Sequence, residues 1–240
     1  MRRIVQTLGL IWGALFAFPL LSNAAVTILE DNFIYRASGD AVQSNGTSLT
    51  AKGPPPTQSN SRTIYLKFDV STASVSDGIY ADLLLTTTGT AGADFTFSLY
   101  ALNSGVTGYD WSETSITWNN SPGLGSDAFD LDASKTTYLG DFTALASGTA
   151  SGTGISATFA NWDDYLQSDD SMTLIVVVKT QSDAGPSIGF ASSENTTTSS
   201  QPQLSFSNVP EPSRGILMMG ALLALFAIRR RPQSQPSLSA

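Results

Sequence analysis

The chain has 240 residues, 20 acidic against 12 basic, with no cysteine and no histidine. Those two zeros exclude Ser-His-Asp and Cys-His nucleophiles, Cys/His zinc sites and thiolate-held iron–sulfur clusters, leaving oxygen ligation, which suits calcium. Serine and threonine total 59 and charged residues only 13%, against roughly 25% in ordinary soluble domains, a balance that points to an extracellular all-β protein.

Arg2 and Arg3 precede an apolar or glycine run from Leu8 to Phe18. Pro19 breaks it, and Ser22-Asn23-Ala24 ends in a small-x-small pattern. This reads as a secretory signal peptide over 1–24, cut by signal peptidase between Ala24 and Ala25. The run is too short to span a bilayer permanently. The segment 25–208 is expected to form one domain. Residues 25–209 hold six basic and nineteen acidic side chains, a net charge of −13. Such a surface repels nucleic acid and anionic headgroups, so no nucleic-acid partner is expected.

Along the domain, apolar residues alternate at period two between Gly/Ser/Asn/Asp clusters, the pattern of an antiparallel sandwich. Strands are expected at Val26–Tyr35, Arg62–Val70, Ile79–Thr88, Asp94–Leu102, Ser115–Trp118, Gly154–Ala160, Ser187–Ala191 and Gln203–Ser207. Thr173–Val178 is continuously apolar and reads as a central strand buried on both faces. One turn of helix is expected after Asn161 as N-cap, with Asp163 and Asp164 in its first turn and Leu166 turned to the core. Gly53–Ser61 holds three consecutive prolines and cannot be a central strand.

The richest stretch is Trp111-Ser112-Glu113-Thr114-Ser115-Ile116-Thr117-Trp118-Asn119-Asn120-Ser121-Pro122. It resembles the W-x-E-x-x-I-T-W-N-x-x-P signature of DNRLRE-type domains, a carbohydrate-binding-module class. Tyr65–Val70, Ala81–Leu85 and the stretch with Glu194, Pro202 and Leu204 resemble further family pieces in the same order. The resemblance implies a single β-jelly-roll sandwich that binds extracellular polysaccharide, often acidic. A glycan with negative charge would need bridging calcium or a basic patch such as Arg62/Lys67.

Within that frame Tyr100, Tyr109, Trp111, Glu113 and Asn119 are the candidate sugar-binding residues. Aromatic faces suit sugar rings, and carboxylates and amides suit hydroxyls. Trp111 and Trp118 serve equally as core aromatics, and Glu113 serves equally as an acceptor for loop amides. By analogy with jelly-roll sugar-binding modules, Glu30 and Asp31 at the domain's start are candidates for a structural calcium site. Nineteen carboxylates make some pair about 5 to 9.5 Å apart inevitable. No sequence feature singles one out as a glycosidase pair, so the chain reads as non-enzymatic.

At the C-terminus, Pro210-Glu211-Pro212 precedes an apolar helix from Ile216 to Ile228 and then Arg229-Arg230-Arg231. Thirteen helical residues rise about 20 Å, short of the roughly 30 Å hydrocarbon core. The arginines favour the cytoplasmic side, so this is a transient stop at the inner membrane during export. The three parts in order resemble the PEP-CTERM sorting signal of Gram-negative bacteria, here over 209–232, with 233–240 a disordered tail. That resemblance implies an exosortase substrate destined for the cell surface or a biofilm matrix. The expected function is a surface-sorted polysaccharide-associated protein. The rivals are a self-associating surface protein without a sugar site and a small polysaccharide-active enzyme.

Overall fold

The computed structural model describes residues 26–43, 46–53, 60–74, 78–125, 131–181 and 185–207. The expected cleavage point at Ala24–Ala25 and the whole sorting tail lie outside the described residues. Among the described residues no helix is long and apolar enough to cross a membrane.

The described residues form ten strands: β1 (Thr27–Tyr35), β2 (Ser48–Ala51), β3 (Arg62–Asp69), β4 (Tyr80–Thr86), β5 (Phe95–Leu102), β6 (Thr136–Asp141), β7 (Gly154–Ala160), β8 (Ser171–Gln181), β9 (Ile188–Ala191) and β10 (Gln203–Ser207). Every pairing is antiparallel. One layer is a five-stranded sheet ordered β1-β3-β8-β5-β6. Facing it are the sheets β10-β4-β7 and β2-β9, joined where Thr88 N–H donates to Gly189 O at 2.9 Å. Nearly every connection carries the chain from one layer to the other, as a sandwich of the jelly-roll kind requires.

Alternation explains which side chains meet between the layers. Ile64, Leu66 and Phe68 of β3, Phe95, Phe97, Leu99 and Ala101 of β5, and Leu174 and Val176 of β8 point inward. They meet Leu83 and Leu85 of β4, Ile155 and Phe159 of β7, and Leu204 and Phe206 of β10 in one core. Phe97 packs edge-on against Phe142 and Phe190. With no disulfide available, this packing carries the fold.

Three expectations change. Ser115–Trp118 forms no strand; it lies in a series of turns inside the connection from β5 to β6. The helical turn is a 3-10 helix over Trp162–Tyr165. Asn161 sits left-handed at φ 54° with no side-chain cap bond, while Trp162 anchors the turn by donating to Gly78 O at 2.8 Å. Two strands had no legible pattern: β2, only four residues long, and β6, whose sequence Thr-Thr-Tyr-Leu-Gly-Asp lacks apolar alternation.

Candidate functional site

The outer face of the five-stranded sheet divides in two. Over β1, β3 and the first half of β8 the described parts of the connection from β5 to β6, 103–125 and 131–135, lie as a cap. Its apolar residues Trp111 and Ile116 join Ile34, Tyr65 and Ile175 in a second core, with Trp118, Leu124 and Leu131 of the cap and Tyr100 of β5 and Val177 of β8 at its margin. Past that margin, at edge strand β6, Tyr138 stands exposed.

The cap is fastened by the residues of the tryptophan motif. Trp111, 7% exposed, donates through its indole to Thr173 Oγ1 at 3.1 Å and meets Tyr65 edge-on. The Lys67 ammonium lies over its ring and donates to its backbone oxygen. Trp111 therefore has no face left for a sugar, and its candidate role as a stacking residue is corrected to a core role. Tyr65 Oη donates to Pro122 O at 2.8 Å. Asn119 takes Gly39 O with its backbone amide and Asp40 Oδ1 with its side chain at 2.7 Å, so it ties the cap to the turn after β1. Tyr109 pairs its hydroxyl with Ser168 at 2.9 Å. It does not join Tyr100.

Glu113 reaches the β1 edge. Its backbone N–H donates to Glu30 Oε2 at 2.8 Å, and Asn32 donates to its carbonyl at 2.7 Å. Its carboxylate meets those of Asp31 and Glu194, with one oxygen from each within 4.8 Å of the others. Glu30 stands beside the trio, accepting the Glu113 N–H and adding its charge. The trio joins the first strand, the cap and the loop before the last strand. Burial pushes the Asp31 carboxyl up to about 7, against the amide bond from Ser193 and with help from the charges of Glu194 and Glu113. Burial, then Glu194 and Glu30, also raise Glu113. Like charges crowded in a shielded corner need a proton or a cation, and an all-oxygen donor set fits a hard cation such as calcium.

The suggested Arg62/Lys67 patch does not form. Five positions apart on one strand, the two side chains take opposite faces. Lys67 is buried under the cap, and burial lowers its pKa. Arg62 lies over the rings of Tyr35 and Phe33 on the other side.

At the margin of the cap Tyr100 on β5 meets Tyr138 on β6, its cross-strand partner, with ring centroids 5.4 Å apart. Tyr138 is 51% exposed. Two β-bulges shape this patch, a known way of re-aiming side chains. The register skips Leu139 between Leu99↔Gly140 and Tyr100↔Tyr138, and it skips Lys179 between Phe97↔Val178 and Thr96↔Thr180. Asp141 Oδ2 accepts from Lys179 at 2.6 Å and its Oδ1 accepts from Ser98 at 2.7 Å. Burial works to raise the Asp141 pKa, but Lys179, Ser98 and Tyr138 outweigh it and hold the carboxyl below its usual range. The sequence named Tyr100 here and missed Tyr138, Asp141 and Lys179. Their one sequence signal was Lys179 ending the apolar run of β8.

A disulfide-free antiparallel sandwich with a capped outer sheet face defines the class of this domain, a β-sandwich module. The model of carbohydrate-binding module family 96 matches residues 23–162, and the chain belongs to that family. The match ends before β8, yet β8 is the middle strand of the large sheet, so the folded unit extends past the matched span. A search of curated proteins found no match to the chain.

Proposed function

We propose that this protein is exported, sorted to the cell surface and held there as a non-enzymatic polysaccharide-associated component of a biofilm matrix or adhesive layer. Family membership supports carbohydrate association, and the exposed ring of Tyr138 beside Tyr100 is the observation that carries the reading to a place on the molecule. A tyrosine ring gives a broad apolar face with a hydrogen-bonding tip at little entropic cost. Asp141 and Lys179, exposed beside it, offer an acceptor and a donor to sugar hydroxyls.

The leader over 1–24 and the Pro-Glu-Pro, helix and arginine tail support passage through signal peptidase and exosortase. The Asp31–Glu113–Glu194 corner supports a structural calcium ion that locks the cap to β1. Calcium would offset two of the three carboxylate charges there and contribute no chemistry to the sugar face.

Two measurements test the proposal. Full-length protein passed over immobilised polysaccharides is expected to be retained without releasing new reducing or unsaturated ends. Retention on none, or release of such ends, overturns it. Truncation before Val209 is expected to move the protein from the cell surface to the medium. Identical fractionation of the truncated and full chains overturns the sorting role.

A further inference from the structure

Half of the domain's bases meet at one end of the sandwich. Of the six in residues 25–209, Arg36, Lys52 and Arg62 fall there. Lys52 and Arg62 exchange both backbone hydrogen bonds, at 3.3 and 3.0 Å, in an isolated bridge just past β2. Arg62 is also the register partner of Tyr35, and Arg36 follows with its N–H donating to Ser61 O at 3.1 Å. Residues directly opposite on antiparallel strands put their side chains on one face. Lys52, Arg62 and Tyr35 therefore form one row. Arg62 alternates in step with Ile64, Leu66 and Phe68, so the row turns toward the other layer, at the mouth of the sandwich.

Like charges directly opposite destabilise a sheet, so this pair calls for a counter-charge. Among the described residues it has none, since the ion pairs there belong to Lys135 and Lys179. The Arg62 guanidinium is fixed over the rings of Tyr35 and Phe33 at 4.8 and 5.7 Å, and its buried Nε has no hydrogen-bond partner. Exposed Asn60 accepts from Tyr35 Oη through its Oδ1 at 2.9 Å, which leaves its amide nitrogen as a donor. An ammonium, a guanidinium and an amide NH2 are all donors, the set that recognises a carboxylate or a sulfate.

The domain's negative charge is concentrated away from this mouth. The eight residues of β3 put Asp69 about 23 Å from Arg62,. Exposed Asp163, Asp164, Asp169 and Asp170 lie in the connection that returns the chain to Ser171, opposite Asp69. At about 10 Å of screening length in 0.1 M salt, those charges are muted at the mouth. The nearer acids are Asp40, bonded to Asn119 of the cap, and Asp94, two strands across at the start of β5. One anionic group at the mouth is attracted, whereas a chain with a charge on every unit extends over Asp40 and Asp94 and is repelled there.

We propose that the mouth formed by Lys52, Arg62 and Asn60 takes a single carboxylate or sulfate of a sparsely charged polysaccharide. This rests on the carbohydrate-association reading above and names the ligand class. It adds a contact on the opposite face of the large sheet from Tyr138.

The test compares full-length protein, Lys52→Glu and Lys52→Arg by retention on immobilised polysaccharides, with melting temperature as the control for folding. Lys52 is chosen because Arg62 also packs on two rings. The panel is gellan, whose glucuronates are isolated along the chain, the same polymer with its carboxyls reduced to alcohols, lightly sulfated dextran, polygalacturonate and heavily sulfated dextran. Retention on gellan or lightly sulfated dextran is expected to weaken about threefold or more from low to high salt. It is expected to fall roughly tenfold or more in Lys52→Glu and to survive in Lys52→Arg. Equal retention on gellan and its reduced form, with none on sulfated dextran, overturns this inference and leaves carbohydrate association standing. Retention indifferent to Lys52→Glu overturns the assignment to the mouth. Stronger retention on the two densely charged polymers overturns the restriction to sparse charge. Retention on no polysaccharide overturns both readings.

Discussion

The covered and open halves of one sheet face are built from similar side chains put to opposite uses. Under the cap, Tyr65 and Trp111 meet edge-on and are buried, and their polar tips are consumed by Pro122 O and Thr173 Oγ1. Past the margin of the cap, where Tyr100 still touches the covered core, Tyr138 also meets its neighbour at an angle yet keeps half its surface in water. What separates the halves is a long connection that folds back over one and stops short of the other. Aromatic residues in a sheet are therefore not a binding site until the loops decide which of them remain uncovered. In this chain the motif richest in tryptophan builds the cover, and an unremarkable tyrosine on an edge strand is left to face solvent.

The contrast can be broken most forcefully at its covered end. Trp111→Ala removes the centre of the outer core, and an unfolding free energy lower by about 3–5 kcal/mol is expected in urea titration. A loss below about 1 kcal/mol would mean that the cap is not packed as described.

Asp31→Asn tests the corner where the cap meets β1. Unfolded, Asp31 ionises near its ordinary 3.8, whereas folded it keeps its proton up to about 7. Between those values the metal-free fold binds more protons than the unfolded chain, so this group's contribution to stability falls as pH rises from about 4 to 7. The whole effect is at most about 4 kcal/mol. In chelator, Asp31→Asn is expected to flatten this slope and to be the more stable protein at pH 8. With calcium at pH 8 the order is expected to reverse, because the wild-type trio then binds the ion. Thermal melts over pH, with and without calcium, decide it.

Gly123→Ala probes the base of the cap. The glycine has φ +83°, and an added Cβ would lie 2.6 Å from Thr136 Cγ2. A loss of about 1–3 kcal/mol is expected, read as a lower denaturation midpoint. Asn119→Ala should cost about 1 kcal/mol or less through the lost bond to Asp40. It should leave glycan retention unchanged, and weakened retention would return Asn119 to the sugar site. At the small end, Tyr138→Ala should not move the melting temperature at all. A clear drop would make Tyr138 a packing residue and close the difference between the two halves.

Legibility divided along the same line. Strands with one apolar face, such as β3, β5 and β7, were readable because period-two alternation reports burial against the opposite layer. β6 was not, because an edge strand with few inward contacts has little need of an apolar pattern. Ser115–Trp118 misled for a related reason. Ile116 and Trp118 are two residues apart, as on a strand, but they pack downward from turns onto a sheet already formed. Glu113 was legible as a candidate sugar contact or an acceptor for loop amides. Its pairing with Asp31 and Glu194 was not legible, since those residues lie far apart in sequence.

By itself the sequence determined the all-β class, the absence of thiol and imidazole chemistry, the strongly acidic domain and the central place of β8. These come from composition and local periodicity, which need no knowledge of which segments meet. The tertiary structure alone decided that Trp111 is buried and Tyr138 exposed, that Lys67 and Arg62 never form a patch, and that three distant carboxylates share one corner. Each of these depends on strand register, on bulges at Leu139 and Lys179, or on where a long loop comes to rest. They are long-range outcomes of packing that no local pattern encodes.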